Sequence, residues 1–206
     1  MISFQEILDN NQKWANRQLQ KDPGFFYAQQ QLPHPDILWI GCTEHRIPPH
    51  QLIGLPMERV CAIHNIANVV SHTDLSLMSI LDYAVSFLKV NHIIVCGHDG
   101  CGGVKAAVAK NGFGVVGKWL RSIREFGSKR KNKPVNGKDH SSLSPVELNV
   151  EEQILDLART SIIQNAWKEK KLPHLHGLVY DPKTGLLRRV VEMIPGTPVD
   201  DVVVIR

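Results

Sequence analysis

Apolar positions along the chain fall into two rhythms. Short, nearly unbroken apolar runs occur at residues 36–41 (Asp36-Ile37-Leu38-Trp39-Ile40-Gly41), 59–63 (Arg59-Val60-Cys61-Ala62-Ile63) and 92–96 (His92-Ile93-Ile94-Val95-Cys96), the pattern of strands buried on both faces. Between the second and third runs, Leu77, Met78, Leu81, Ala84, Val85 and Leu88 recur at helical spacing behind Thr73-Asp74. That spacing predicts a helix over 75–90 and a βαβ crossover. At the start of the chain, Ser3-Phe4-Gln5-Glu6 has the form of a capping box, and Phe4, Ile7, Leu8 and Trp14 follow at roughly helical spacing. An amphipathic first helix results, with an apolar stripe that needs a surface. Further helices are expected at 104–110, 115–126 and 146–168, with the polar stretch 127–144 as a surface loop. Strands return at 175–180 and 186–191 around Asp181-Pro182-Lys183-Thr184-Gly185, whose proline and glycine suit a hairpin turn.

Parallel strands first and a hairpin last predict an α/β fold: a mostly parallel central sheet with an antiparallel edge strand, flanked by helices. Ligands in such sheets sit beyond the carboxyl ends of the strands. Cys42 follows the first strand directly, and His98 and Cys101 follow the third. If those two strands are neighbours, the three side chains converge on one edge.

Composition narrows the class without naming a partner. A chain of 206 residues that is 43% hydrophobic can bury a core as one domain. Lys and Arg exceed Asp and Glu by four (24 against 20), a mild excess typical of a solvated surface. The densest basic run, Lys129-Arg130-Lys131-Asn132-Lys133, lies beside Pro134 and Gly137 and reads as a solvated loop ahead of a nucleic-acid patch. Residues 1–22 lack the uninterrupted apolar core of a signal peptide, and no stretch approaches a membrane span. The expectation is a cytoplasmic protein with no nucleic-acid and no membrane partner, whose four cysteines serve as thiols rather than disulfides.

The chemistry concentrates in Gly97-His98-Asp99-Gly100-Cys101-Gly102-Gly103. An imidazole and a thiol three residues apart in a glycine-rich turn can reach one small cation, and zinc accepts that S/N mixture. A third ligand from Cys42 leaves one tetrahedral position for water, as in a catalytic rather than a structural site. Zinc brings the pKa of such a water to about 7. The helix expected from Val104 favours an anion near its start. A cysteine ending a buried strand is usually core packing, and one His-x-x-Cys is weak evidence for metal. The placement of all three at strand ends tips the balance toward a site, whereas Cys61 and Cys96 inside strands read as small buried hydrophobes.

Leu38-Trp39-Ile40-Gly41-Cys42 with Arg46, Asn65-Ile66-Ala67-Asn68, His72-Thr73-Asp74, Cys96-Gly97-His98 and Cys101-Gly102-Gly103 recur in the order and spacing of the β-class carbonic anhydrases. The sequence resembles that family over nearly its whole length, closest to the bacterial and fungal branch. The resemblance implies a zinc lyase interconverting CO2 and bicarbonate, a homodimer or dimer of dimers that exchanges N-terminal helices. It divides the single domain 1–206 into a helical arm, 1–34, and a zinc-binding α/β core, 35–206. In the family the first zinc cysteine opens Cys-x-Asp-Ser-Arg, whose Asp and Arg form a dyad beside the metal. Here the stretch reads Cys42-Thr43-Glu44-His45-Arg46, so Glu44 and Arg46 are the implied catalytic pair. The extra methylene of Glu44 favours a closed state, in which its carboxylate takes the fourth zinc position and turnover falls.

Other departures cluster nearby. His45 replaces a serine, His64 replaces an arginine, and Pro33 stands where a glutamine is common, with Gln31 displaced by two. Gly102 is an implied substrate contact. In the branch with a second, regulatory bicarbonate site the anion rests against a tryptophan, that arginine and a tyrosine, here Trp39, His64 and Tyr180. With histidine at the arginine position, regulation becomes weaker or pH-dependent; the plain alternative is that His64 packs near a dimer interface. His45 or His50 could export a proton, with no basis for choosing between them. Two further readings stay open: a zinc-binding paralogue that senses bicarbonate with little hydratase activity, and a hydrolase of a CO2 analogue such as carbonyl sulfide.

Overall fold

The computed structural model describes residues 1–109, 114–124, 143–200 and 202–205, and the chain divides into two units, Met1–His34 and Pro35–Arg206. The first unit holds helix α1 (Phe4–Lys21), which starts at the expected capping box: Ser3 accepts from Glu6 N–H and the Glu6 carboxylate accepts from Ser3 N–H. No residue of α1 is buried, and Phe4, Ile7, Leu8, Trp14 and Leu19 are exposed. Trp14 stacks edge-on against Phe25 and Phe26 of the short helix that follows.

In the second unit, five strands form one sheet: β1 (Ile37–Cys42), β2 (Val60–Asn65), β3 (His92–His98), β4 (His174–Tyr180) and β5 (Leu187–Met193), in the order β2-β1-β3-β4-β5. The first three pairings are parallel and β4–β5 is antiparallel, with a register irregularity at Gly177/Leu178. The fold is therefore the mixed α/β sheet that the apolar rhythm predicts. Every residue of β1 is buried, which explains its unbroken apolar run.

Helices α2 (Leu75–Asp82), α3 (Gly102–Val108), α4 (Gly114–Trp119), α5 (Pro145–Arg159) and α6 (Ser161–Lys170) also belong to this unit, with a one-turn helix at Pro49–Leu52. Leu38, Ile40, Ile93, Val95 and Leu175 pack with Leu77 and Leu81 of α2, Ile154 and Leu157 of α5, and Ile163 and Trp167 of α6. The long helices thus cover one face. The opposite face carries Ile37, Trp39, Ile94, Cys96 and Tyr180, against only Leu52 and Ile53 of a one-turn segment among the described helices. Close helix-to-sheet approach fixes Gly97 and Gly177. A Cβ at Gly97 would meet Val150 at 2.8 Å, and one at Gly177 would meet Val191 at 2.6 Å and Val150 at 2.8 Å.

Two expected helices differ in form. The segment predicted as one helix over 75–90 continues from α2 as a wider π-type stretch, Tyr83–Leu88, and ends at Lys89 with φ 57°. The segment 146–168 is two helices broken at Thr160, whose extended backbone lets its hydroxyl cap α6 by accepting from Ile163 N–H. Cys61 is half-buried rather than buried, because β2 is an edge strand. The basic run 129–133, most of the loop 127–144, and the ends of the helices expected at 104–110 and 115–126 lie outside the described residues.

Candidate metal centre

Because β1 and β3 are neighbours in parallel register, with Gly41 opposite Cys96, Cys42 and His98 emerge at the same edge of the sheet. Cys101 is the residue at which α3 begins. Sγ of Cys42 lies 3.8 Å from Sγ of Cys101, and Nε2 of His98 lies 3.5 Å from Oε2 of Glu44. One ligand atom from each of Cys42, Glu44, His98 and Cys101 falls within 4.8 Å of every other.

These separations test whether zinc fits. With Zn–S bonds of about 2.3 Å, a tetrahedral ion holds two thiolate sulfurs about 3.8 Å apart. With bonds of about 2.1 Å to nitrogen and oxygen, it holds that pair about 3.4 Å apart. Both observed distances match. Nε2 of His98 is also a buried atom with no hydrogen-bond partner among the described residues, while its Nδ1 lies 3.2 Å from the Asp99 carbonyl. Donation from Nδ1–H to that carbonyl leaves the Nε2 lone pair within the cluster, available to a cation.

The second strand's end completes the corner. The Asn65 side chain closes the loop after β2, donating to the Val69 carbonyl and accepting from Val69 N–H, both at 2.8 Å. Ala67 inside that loop adopts φ 64°, an uncommon backbone for a side-chain-bearing residue. Its N–H is thereby aimed at Cys42 Sγ, 3.4 Å away, and its carbonyl accepts from Asn149 of α5 at 3.0 Å. The Asn65-Ile66-Ala67-Asn68 motif is therefore a thiolate support.

The two sulfurs are close enough for one proton to bridge them in a hydrogen bond. The hydrogen bond from Cys101 holds the Cys42 thiol down to about 4, helped by His98 and by backbone N–H groups, against the opposing effect of burial. The same bond pushes Cys101 far up, and proximity to the Cys42 thiolate raises His98. A cation would displace that proton and neutralise the cluster. Cys96, by contrast, is pushed up to about 12 by burial and takes no part.

Glu44 sits at the fourth corner. Its Oε2 accepts from Gly102 N–H at 2.8 Å, which gives Gly102 a direct part in holding the carboxylate. Arg46 is exposed, and no hydrogen bond or ion pair joins it to Glu44 among the described residues. Beside the cluster lies a cleft of about 410 Å³, walled by Ile66, Ala106, Val116 and Leu120 and reaching Cys42, Glu44 and Gly102. The sequence pattern gave these wall residues no functional signal, since each reads as ordinary helix or loop apolar content.

A clamp behind the site was equally invisible. Arg188 of β5 donates to both oxygens of Asp99 at 2.6 and 2.7 Å and to Glu147 of α5 at 3.0 Å. The Arg188 guanidinium holds the Asp99 carboxyl below the usual carboxylate range. This pairs the turn between His98 and Cys101 to two distant elements.

Trp39 and His64 meet beside Gly41, whereas Tyr180, on β4, is separated from β2 by two strands. A Cβ at Gly41 would be 2.8 Å from Trp39 Nε1 and 3.1 Å from His64 Nε2. Trp39 Nε1 is buried and has no partner among the described residues. His45 packs edge-on against Tyr180, ring centroids 4.5 Å apart, with its own Nε2 unpartnered among the described residues. Burial lowers the pKa of both His45 and His64. His50, in the one-turn helix, is half-buried.

Sheet order and side-chain cluster define an α/β protein with two thiols, an imidazole and a carboxylate gathered at its strand ends, a group that could hold a metal ion. The sequence profile described as "Carbonic anhydrase" matches residues 37–187. A carbonic anhydrase of Emericella nidulans is 37% identical over 199 residues, covering 95% of this chain and 86% of that one. Among solved structures, a Coccomyxa β-carbonic anhydrase in complex with acetazolamide is 34% identical with a TM-score of 0.77, covering 94% of this chain and 89% of that one. A tetrameric β-carbonic anhydrase of Sordaria macrospora is 31% identical with a TM-score of 0.78, covering 92% and 98%. The chain belongs to the carbonic anhydrase family, β class.

Proposed function

We propose that this protein interconverts carbon dioxide and bicarbonate at a zinc ion held by Cys42, His98 and Cys101, with Glu44 governing access to the fourth position. The observation that carries the reading is the gathering of four ligand atoms within 4.8 Å of one another, with the sulfurs 3.8 Å apart and the nitrogen–oxygen pair 3.5 Å apart, two separations that tetrahedral zinc would hold. Zinc bound there would supply a Lewis acid and lower the pKa of a water molecule into the neutral range. The chain's own residues do the rest. Ala67 N–H and the neighbouring ligands hold the Cys42 sulfur as an anion, and the Asp99 carbonyl fixes the His98 tautomer. Ile66, Val116 and Leu120 offer an apolar wall to a small apolar substrate and keep bulk water out.

Glu44, bonded to Gly102 N–H and pointing at the ligand corner, occupies the place that water must take. This arrangement supports a closed resting state that opens when the carboxylate swings away, with Arg46 as its partner in the open state. It also favours a second reading, a zinc-binding bicarbonate sensor with little turnover. Zinc content and stopped-flow CO2 hydration on one purified sample separate them. One zinc per chain with turnover supports the enzyme, one zinc without turnover supports the sensor, and no zinc overturns both.

The same reading extends to assembly and regulation. The bare apolar stripe of α1 is what an arm that packs on a second copy of the chain would present, and the Sordaria relative is tetrameric. Both observations support a homodimer or dimer of dimers. Cys42 and Cys101 must both be free to ionise, which suits a reducing, cytoplasmic compartment; no described helix is long and apolar enough to cross a membrane. Trp39 Nε1, His64 and Tyr180 offer a bicarbonate its second resting place, with His64 cationic only at lower pH.

A further inference from the structure

His92, His174 and His176 form a second group of potential ligands at the far end of the sheet. Parallel register sets His92, the first residue of β3, opposite His174, the first of β4, and Ile94 opposite His176. All three side chains are half-buried. Nδ1 of His92 lies 3.0 Å from Nε2 of His176, and one ring nitrogen from each of the three falls within 4.8 Å of the others. Ring centroids are 5.1, 5.9 and 6.4 Å apart.

The surroundings orient this group. On the antiparallel edge, Glu192 of β5 pairs with His176. Its Oε1 lies 3.3 Å from Nδ1 of His176, and its Oε2 accepts from Arg189 at 3.2 Å. Donation from Nδ1–H to that carboxylate leaves the His176 Nε2 lone pair facing His92. A carboxylate behind an imidazole in this way is the usual outer partner of a metal-bound histidine, fixing tautomer and ring direction. Nitrogens 3.0 Å apart subtend about 90° at an ion with metal–nitrogen bonds of about 2.1 Å, the cis angle of a tetragonal copper or nickel site; tetrahedral zinc needs about 3.4 Å, a side-chain shift of a few tenths of an ångström. Burial and the neighbouring His92 also keep His176 from taking up a proton readily.

We propose that His92, His174 and His176 form a second metal site, taking a divalent transition ion of the zinc, copper or nickel kind, backed by Glu192, that ties β3 to β4 and β5. Three neutral imidazoles suit these ions and not magnesium or calcium, which prefer oxygen. The site is independent of the Cys42 centre. His92 and His98 stand at opposite ends of β3, so six residues at about 3.3 Å each separate the two by about 20 Å. Binding there joins three strands and stabilises the folded chain through linkage.

The test starts from full-length protein carrying one zinc per chain. Calorimetric titration with Zn2+ should show one further equivalent per chain and a raised thermal midpoint. His174→Gln and His92→Asn should abolish both changes while keeping the first zinc, and Glu192→Gln should weaken the second equivalent by about 10–100-fold. Cys42→Ser should lose the first zinc and keep the second. Independently of any variant, Cu2+ added to the zinc-loaded wild type should give an electron paramagnetic resonance spectrum with hyperfine structure from several nitrogens. Absence of a second equivalent in the wild type overturns the proposal. So does a second equivalent that survives both histidine variants, or a copper spectrum showing a single nitrogen.

Discussion

Glu44→Asp removes one methylene, about 1.5 Å of reach, from a carboxylate that now accepts from Gly102 N–H at 2.8 Å and lies 3.5 Å from His98 Nε2. Neither contact survives that retreat, because the hydrogen bond would stretch well past its limit. A hydrogen bond to a charged group contributes about 1.5–3 kcal/mol. The Glu44 side chain is 53% exposed, so solvent competition reduces this to about 1 kcal/mol. Removing about 1 kcal/mol from the closed arrangement raises the open-to-closed ratio about 5-fold. If the closed form dominates at rest, CO2 hydration at neutral pH should rise by about that factor in Glu44→Asp. Stopped-flow hydration at pH 7.5, on wild type and variant with equal zinc content, measures it. A variant rate within about two-fold of wild type, or below it, refutes the idea that Glu44 holds the site shut.

The remaining predictions concern protons and anions. In metal-stripped protein at pH 6, iodoacetamide should label Cys42, held down to about 4 by Cys101, well before Cys96, pushed up to about 12 by burial; mass spectrometry reads the order, and equal labelling contradicts the shared-proton picture. Burial holds His45, His64 and His176 below the ordinary imidazole value. The stability that goes with their neutral forms is complete above about pH 6.5 and is lost as pH falls from there through the lower folded values. Thermal midpoints should therefore fall between pH 7 and pH 5, less steeply in His176→Gln, and parallel slopes would count against the assignment. Bicarbonate should inhibit the wild type more at pH 6 than at pH 8.5, and His64→Arg should erase that difference; equal inhibition of the wild type at both pH values removes His64 from any regulatory role.

Legibility followed burial. The central strands were readable because burial on both faces demands an unbroken apolar run, and Cys42, His98 and Cys101 could be placed because strand ends are where such sheets hold ligands. The wide turn from Tyr83 to Leu88 was not readable. Leu81, Ala84, Val85 and Leu88 satisfy an α-helical pitch and a slightly wider one almost equally well, so the choice falls to the ending at Lys89. The break at Thr160 had a local signal, a hydroxyl able to cap α6, but the apolar rhythm ran through it. What fixes Thr160 is distant, the backbone bond between its neighbour Ser161 and Val203 near the chain's end. Likewise Asp99 was visible in the glycine-rich turn, but its partner Arg188 lies 89 residues away, and pairing at that range leaves no periodic trace.

The same division explains why the ligands and their control differ in kind. Ligand positions follow from backbone placement alone: parallel register of β1 and β3 brings Cys42 and His98 to one edge, and any side chain there points into the corner. Control of the fourth position depends on a side chain's last ångström and a half, on whether the carboxylate meets Gly102 N–H or an arginine. Arg188 acts on the former: by tying Asp99 to β5 and, through Glu147, to α5 it stiffens the turn that spaces His98 from Cys101. Glu44 acts on the latter, from an exposed position where one methylene changes which partner is in reach. On the proposed reading, a family fold that keeps Cys42, His98 and Cys101 differs in whether a bound metal is open to water through the one methylene of Glu44, with sheet, core and charge unchanged.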